Sequence, residues 1–298
     1  MKILVTGGTG YIGAHTVVEL MNSGFDVDII DNLNNSKEEV VDAIAKITGK
    51  RPLWFNIDLC DANEIKNYFS KHKPDAVVHF AAHKAVGLSV EQPLAFYHNN
   101  LLSLINLLQC CVEAKCNSFV FSSSCSVYAD PDKLPIDENA PVKTAKSPYG
   151  NTKKIGEEII TDTVRSSSLQ AVSLRYFNPV GSHDSALIGE LPTTMPLNVM
   201  PIITQVAIGK RKQFVVFGND YPTPDGSCIR DYIHVVDVAK AHVTAVMRLL
   251  NKKNKSAYEV FNLGTGKGFS VLELIHAFEK TTGQKLNYTI EGRRAGDV

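Results

Sequence analysis

Six apolar runs, each four to six residues long, recur through the first 180 positions, at 3–6, 27–31, 53–57, 76–80, 119–122 and 171–176. Runs of that length with several β-branched residues read as strands. Amphipathic stretches near 11–23, 36–48, 61–72, 89–115 and 148–167 separate them and read as helices. Strands that are apolar almost throughout must be buried on both faces, which calls for a parallel sheet with helices above and below. The strict alternation therefore predicts an α/β chain built on a doubly wound parallel sheet.

After residue 180 the texture changes. The stretch 181–200 is irregular and holds Pro192 and Pro196; helices near 200–209, 234–251 and 270–282 and a strand at 213–217 follow. This predicts a Rossmann-like domain over 1–180 and a smaller substrate lobe over 181–298, discontinuous and interleaved with the first. Such a lobe belongs over the strand ends, where open α/β sheets bind ligands.

Charge narrows the partners. The 31 Lys and Arg residues balance 31 Asp and Glu, so the chain lacks the basic excess that nucleic acid or an acidic membrane surface selects. No uncharged apolar stretch approaches the length that crosses a bilayer. The six cysteines show no Cys-x-x-Cys spacing and read as free thiols of a cytoplasmic protein. His234, Asp237 and His242 are spaced like metal ligands on a helix, but no further ligand completes the set, so no metal is expected.

Gly7-Gly8-Thr9-Gly10-Tyr11-Ile12-Gly13 directly follows the first strand and opens the first helix. Glycine is needed where backbone turns sharply, where it approaches a pyrophosphate, and where helix packs closely on sheet. The helix N-terminus then offers N–H groups and a positive dipole to phosphate. The second strand ends at Asp31, eighteen residues past Gly13. A carboxylate there accepts ribose hydroxyls and repels a 2′-phosphate, which points to NAD rather than NADP. Asp58, after the third strand, is in reach of an adenine amine or caps a helix.

Ser147-Pro148-Tyr149-Gly150-Asn151-Thr152-Lys153 starts a helix, with a serine cap and proline in the first turn. Tyr149 and Lys153, four apart, share a face. A tyrosine acting as base near neutrality needs its pKa of ~10 lowered by about 3 units, or roughly 4 kcal/mol. One positive charge at ~5 Å and an effective dielectric of ~20 supplies on the order of 3 kcal/mol. Lys153 and an oxidised nicotinamide are together sufficient. Ser124, at the end of the Ser122-Ser123-Ser124 run, adds a hydroxyl at the same sheet edge, giving a site for moving a hydroxyl proton beside a dinucleotide.

With these residues the chain resembles the extended short-chain dehydrogenase/reductase superfamily. Within it the chain is similar to the UDP-glucose 4-epimerase family, through Arg175-Tyr176-Phe177-Asn178-Pro179, Phe217-Gly218-Asn219-Asp220-Tyr221 and Arg230-Asp231-Tyr232-Ile233-His234. The resemblance implies NAD held by Gly7, Gly10, Tyr11, Ile12, Gly13, Asp31, Asn32, Asn35, Ser36, Asp58, Leu59, Phe80, Ala81, Lys84, Asn99 and Phe177, together with Ser124, Tyr149 and Lys153. It implies Ser124, Tyr149 and Lys153 as the catalytic set. For a UDP-sugar it implies Ser124, Tyr149, Asn178, Asn198, Val199, Phe217, Arg230, Arg294 and Asp297. The implied reaction interconverts UDP-glucose and UDP-galactose by inversion at C4 through a transient 4-keto sugar, with tightly bound NAD.

The same resemblance implies a homodimer, with the leucine-rich helix near 89–115 packing against a second copy or against the sheet. It also implies that the family's chains continue past Val298, so the second lobe is expected to be truncated. Departures from the family pattern fall at Ala82 and Ala129, where glycine is usual, at His83 and Leu88, and in Pro196-Leu197-Asn198-Val199. Epimerases of UDP-glucuronate, a UDP-pentose or a UDP-N-acetylhexosamine share most of these features. A dehydratase needs an acid/base pair where Cys125 and Ser126 stand, a reductase releases its cofactor at each turnover, and a non-catalytic NAD sensor does not need Tyr149 or Lys153.

Overall fold

The computed structural model describes residues 1–192, 196 and 198–293. From the N-terminus the elements are β1 (Lys2–Thr6), α1 (Tyr11–Asn22), β2 (Asp26–Ile30), α2 (Glu39–Thr48), β3 (Leu53–Phe55), α3 (Ala62–Lys71) and β4 (Ala76–His79). Then come α4 (Val86–Glu91), α5 (Pro93–Glu113), β5 (Ser118–Ser124), a 3-10 turn at Cys125–Tyr128, α6 (Pro148–Ser166), β6 (Gln170–Tyr176) and β7 (Asn178–Val180). The remainder forms α7 (Val199–Ala207), β8 (Phe214–Phe217), β9 (Ile229–His234), α8 (Val235–Leu250), β10 (Tyr258–Leu263), β11 (Gly268–Ser270), α9 (Val271–Thr282) and β12 (Tyr288–Glu291).

The main sheet has seven strands in the order β10-β6-β5-β4-β1-β2-β3, and every pairing is parallel. All six expected strands are present. Alternate residues of β1 feed opposite cores: Ile3 and Val5 pack with α1, α2 and α8, whereas Leu4 packs on the side of α3, α5 and α6. Strand order reverses on either side of β1, and the resulting crevice at the carboxyl ends is where such sheets take ligands.

The seventh strand, β10, was not foreseen. It lies at the sheet edge with Glu259 and Asn262 within it and no fully buried residue, so its sequence lacks the continuous apolar run of an inner strand. The expected single helix over 89–115 is two. Pro93 opens α5, and the preceding Gln92 is held out of the helical region at φ −129° and ψ 56°, as a residue before proline must be.

Some of the chain after residue 180 packs with the elements before it. Val243, Val246 and Leu249 of α8 join the main core, and β10 joins the main sheet. A separate small core, centred on Ile203, Phe214, Val216, Ile275 and Leu286, gathers α7, β8, α9 and β12. β11, β9 and β7 form a three-stranded sheet. None of the six cysteines is in a disulfide. Among the described residues no helix is long and apolar enough to cross a membrane.

Ala129 ends the 3-10 turn with φ 52° and ψ −117°, a backbone conformation that glycine accepts and an L side chain resists. Ala129→Gly is expected to raise stability by about 1 kcal/mol, seen as a higher midpoint in thermal unfolding. An unchanged or lower midpoint would mean that the turn carries no such strain.

Candidate active site

A cavity of about 1180 Å³ opens along the carboxyl ends of the sheet, between the main core and the smaller one. Every expected cofactor residue lines it, from Gly7 to Phe177, and so do Ser124, Tyr149, Lys153, Asn178, Asn198, Val199, Phe217 and Arg230. Arg294 and Asp297 lie outside the described residues. The volume exceeds the usual range for a single small ligand, as a site for two nucleotides requires.

The glycine loop forms one wall. Gly7 adopts φ 70°, and a Cβ there would stand 2.7 Å from the Ala81 backbone N. A Cβ on Gly13 would stand 2.1 Å from the Gly7 carbonyl oxygen. These two positions let the chain turn from β1 into α1 with the helix drawn tight against the loop. No side chain caps α1, whose cap residue is Gly10, so its first N–H groups face the crevice.

Asp31 follows β2 and is held from three sides. Its Oδ2 accepts the Thr9 N–H at 3.1 Å, and its Oδ1 accepts the Leu33 N–H at 2.9 Å and the Ser36 hydroxyl at 3.2 Å. A carboxylate has about four acceptor sites, so capacity remains for ribose hydroxyls. Asn32 Nδ2 reaches Asp58 Oδ2 at 3.4 Å, closing the adenosine end of the cleft. A tight glycine turn, an uncapped helix start and an oriented carboxylate are the donor set a dinucleotide needs, and these residues fit NAD.

Lys84 is tied more closely than expected. Its Nζ donates to Glu190 Oε1 at 3.0 Å, and the same oxygen accepts Asn198 Nδ2 at 2.6 Å. Tyr11 donates its hydroxyl to the Gly181 carbonyl at 2.7 Å. The segment after β7 is thereby pinned to the cofactor wall. Glu190 was missed by sequence reasoning, since a lone acid in an irregular loop carries no pattern.

The catalytic candidates converge where β5 and β6 end and α6 begins. Ser147 caps α6 by accepting the Gly150 N–H at 3.1 Å, and Pro148 supplies a first-turn residue that needs no N–H partner. Tyr149 and Lys153 follow one turn apart. Ser124 is the last residue of β5, and its Oγ accepts from Ser126 N at 3.2 Å and Ser126 Oγ at 2.9 Å. Tyr176, at the end of β6, hydrogen-bonds through its hydroxyl to Ser122 Oγ and also lines the cavity. It was overlooked, although it precedes Phe177 and Asn178, both expected at the site.

Burial shapes the electrostatics of this pair. Lys153 Nζ donates to the Ser122 carbonyl at 2.7 Å and stands 5.9 Å from the Tyr149 ring centre. Burial pushes the Tyr149 phenol above its usual range; Tyr176 and Cys125 act the same way, and the hydrogen bond with Ser124 acts against them. Burial also pushes Lys153 down to about 8, with Glu157 opposing. Lys153 therefore does not by itself offset the desolvation of Tyr149.

On the opposite wall, Asn178 Nδ2 donates to the Asp231 carbonyl at 3.1 Å. Arg230 lies on β9 and donates from Nη1 to the Ile229 carbonyl at 2.8 Å. The Asp231 carboxylate accepts from the Thr265 N–H, the Thr265 hydroxyl and the Gly266 N–H. A guanidinium, two amides and an aromatic ring, Phe217, thus line the same cavity as the glycine loop.

Comparison with known proteins agrees with this geometry. The profile of the NAD dependent epimerase/dehydratase family matches residues 3–264. UDP-glucose 4-epimerase of Drosophila melanogaster is 47% identical over 303 residues, covering 99% of this chain and 86% of that protein. The UDP-glucose 4-epimerase of Stenotrophomonas maltophila, solved with bound NAD and formylated UDP-arabinopyranose, superposes with a TM-score of 0.96 at 47% identity, over 100% of this chain and 88% of that one. That of Bifidobacterium longum, solved with NAD+ and UDP, gives 0.95 at 43% identity, again over 100% and 88%. On the glycine loop, the oriented Asp31, the Tyr149–Lys153 turn and these likenesses, the chain belongs to the NAD dependent epimerase/dehydratase family.

Proposed function

We propose that this enzyme interconverts UDP-glucose and UDP-galactose by inverting the configuration at C4 of the sugar, through a transient 4-keto sugar and with NAD retained throughout. The observation that carries the reading is that Ser124, Tyr149 and Lys153 line one cavity together with the glycine loop and Asp31 and with Arg230, Asn178 and Phe217. When bound, NAD accepts and returns the hydrogen at C4, and its oxidised ring adds the positive charge that Tyr149 lacks.

In this reading the Tyr149 phenolate takes the proton of the 4-hydroxyl and later gives it back. Ser124 shares a hydrogen bond with the same oxygen and keeps it aligned. Lys153, anchored on Ser122, holds cofactor hydroxyls and lends its charge to the phenolate. Arg230 takes the diphosphate through guanidinium hydrogen bonds, which suit phosphate oxygens, and Asn178, Asn198, Val199 and Phe217 surround the rest of the nucleotide; Arg294 and Asp297 are proposed to act with them. Holding the nucleotide while leaving the hexose few fixed partners lets the keto sugar present either face.

Ser124→Ala removes a hydrogen bond but not the base. A loss of about tenfold in kcat with NAD content unchanged is expected, the scale of one such bond. The reading as a whole is tested by supplying UDP-galactose to purified protein without added NAD and assaying UDP-glucose. Absence of product with NAD bound would move the assignment to another UDP-sugar.

We further propose the division of the chain into an NAD-binding part over 1–180 and a sugar-nucleotide part over 181–298 that lends α8 and β10 back to the first. A homodimer fits the outward apolar side chains of α5, where Leu94, Ile105 and Val112 are exposed. A cytoplasmic place in galactose metabolism fits this activity and the cysteines without disulfides.

A further inference from the structure

Behind the reacting groups lies a buried polar cluster that the chemistry above does not use. Glu157 sits one turn beyond Lys153 on α6, and Arg175 sits on β6 directly opposite Ser123 of β5. Their side chains are only 9% and 7% exposed. Arg175 donates from Nε to Glu157 Oε1 at 2.9 Å and from Nη2 to Oε2 at 2.5 Å. Ser123 Oγ donates to the same Oε1 at 2.5 Å. Arg175 Nη1 donates to the Tyr128 hydroxyl at 2.8 Å, which in turn donates to Asn262 Oδ1 of β10 at 2.7 Å. One ion pair thus joins α6, β5, β6, the turn after Ser124 and the sheet edge.

A buried ion pair is a weak way to gain stability, since apolar residues of similar volume do as well or better. Its placement asks for another reason. The titratable groups that face Lys153, the ion pair or Tyr149 are His79 of β4, Cys125 and Tyr128 of the turn, Tyr176 of β6 and Tyr258 of β10. His79 is pushed down to about 3, by burial first and by Lys153 second. Burial pushes Cys125 up to about 11, Tyr176 up to about 12, and Tyr149 and Tyr258 higher still. The carboxylate that acts on Lys153 is Glu157, itself paired with Arg175.

We propose that the Glu157–Arg175 pair is a positioning element of the reaction, which registers the serine-bearing end of β5 against α6 and balances the charge around the Lys153 ammonium so that it stays protonated at working pH. The inference rests on the epimerase reading, in which Lys153 holds the cofactor. Burial drives Lys153 towards its neutral form and Glu157 opposes that; Arg175, bonded to both oxygens of Glu157, offsets part of that carboxylate's charge.

The two partners are expected to act with opposite sign. In the purified holoprotein, two quantities are followed from pH 6 to 10: the pH at which half of the bound NAD is lost on gel filtration, and the alkaline limb of kcat. Glu157→Gln is expected to move both down by about one pH unit and Arg175→Gln to move both up by about as much, the size of one nearby charge. The double variant returns both towards the parent. A purely structural pair would lower the unfolding midpoint without opposed pH shifts. Limbs that stay in place, or that move the same way in both single variants, overturn the inference. Should a glutamine variant not fold, Glu157→Asp, which keeps the charge but loosens the contact with Arg175, is expected to lower kcat with the limb at the parental pH; a moved limb then overturns it. Failure of the epimerase reading is separate: the parent protein itself would lack bound NAD or turnover.

Discussion

Tyr149→Phe is expected to purify with its NAD in place and to epimerise UDP-galactose about a thousandfold more slowly than the parent, the range of a lost general base. The aromatic ring still fills its place at the start of α6, so the fold and the cofactor wall are unaffected. Only the oxygen that carries the proton is gone. Burial raises the phenol's proton affinity and Lys153 points at the Ser122 carbonyl, so the phenolate depends on a positive charge arriving with the cofactor. Assays of NAD content and of UDP-glucose formation separate the two effects. A variant that kept most of its turnover would remove Tyr149 from the chemistry.

Gly13→Ala has the second large effect, on binding. The added Cβ would stand 2.1 Å from the Gly7 carbonyl oxygen, a backbone atom that cannot swing aside, since Gly7 itself is hemmed in by Ala81. Either α1 shifts outward or the loop opens, and each carries the helix N-terminus away from the phosphates. Protein with little or no NAD is expected, destabilised by about 1–3 kcal/mol as in other overpacked sites. Absorbance of extracted dinucleotide and a thermal unfolding curve check both parts. Full NAD occupancy in this variant would show that the close approach of loop and helix is not needed.

These two residues also mark what the amino-acid order makes legible. The glycine loop, Asp31 and the Tyr149–Lys153 turn act through spacing along one element and its flanking turn, and spacing is readable directly. The inner strands are readable because burial on both faces leaves a continuous apolar run. β10 escaped because an edge strand has no such run, and the helix break at Gln92 because amphipathic periodicity continues across it. Partners joined only by the fold left no trace: Glu190 meets Lys84 from 106 positions away, and Arg175 meets Glu157 across a helix and a strand. Tyr176 was within a stretch already singled out, yet its role depends on Ser122 on a neighbouring strand.

Lys153 shows why the charge argument needs the fold. Four-residue spacing places its Cα near Tyr149, but the Ser122 carbonyl and Glu157 decide where its ammonium rests and how firmly it keeps its proton.

The account turns on a hydrogen that leaves C4 and returns to the same carbon without exchanging with solvent or with free dinucleotide. The direct measurement uses UDP-galactose deuterated at C4, purified protein and an excess of unlabelled NADH in ordinary water. Retention of deuterium at C4 of the UDP-glucose formed is the expected result. Loss of the label to water or to the NADH pool, with epimerisation still proceeding, would contradict it.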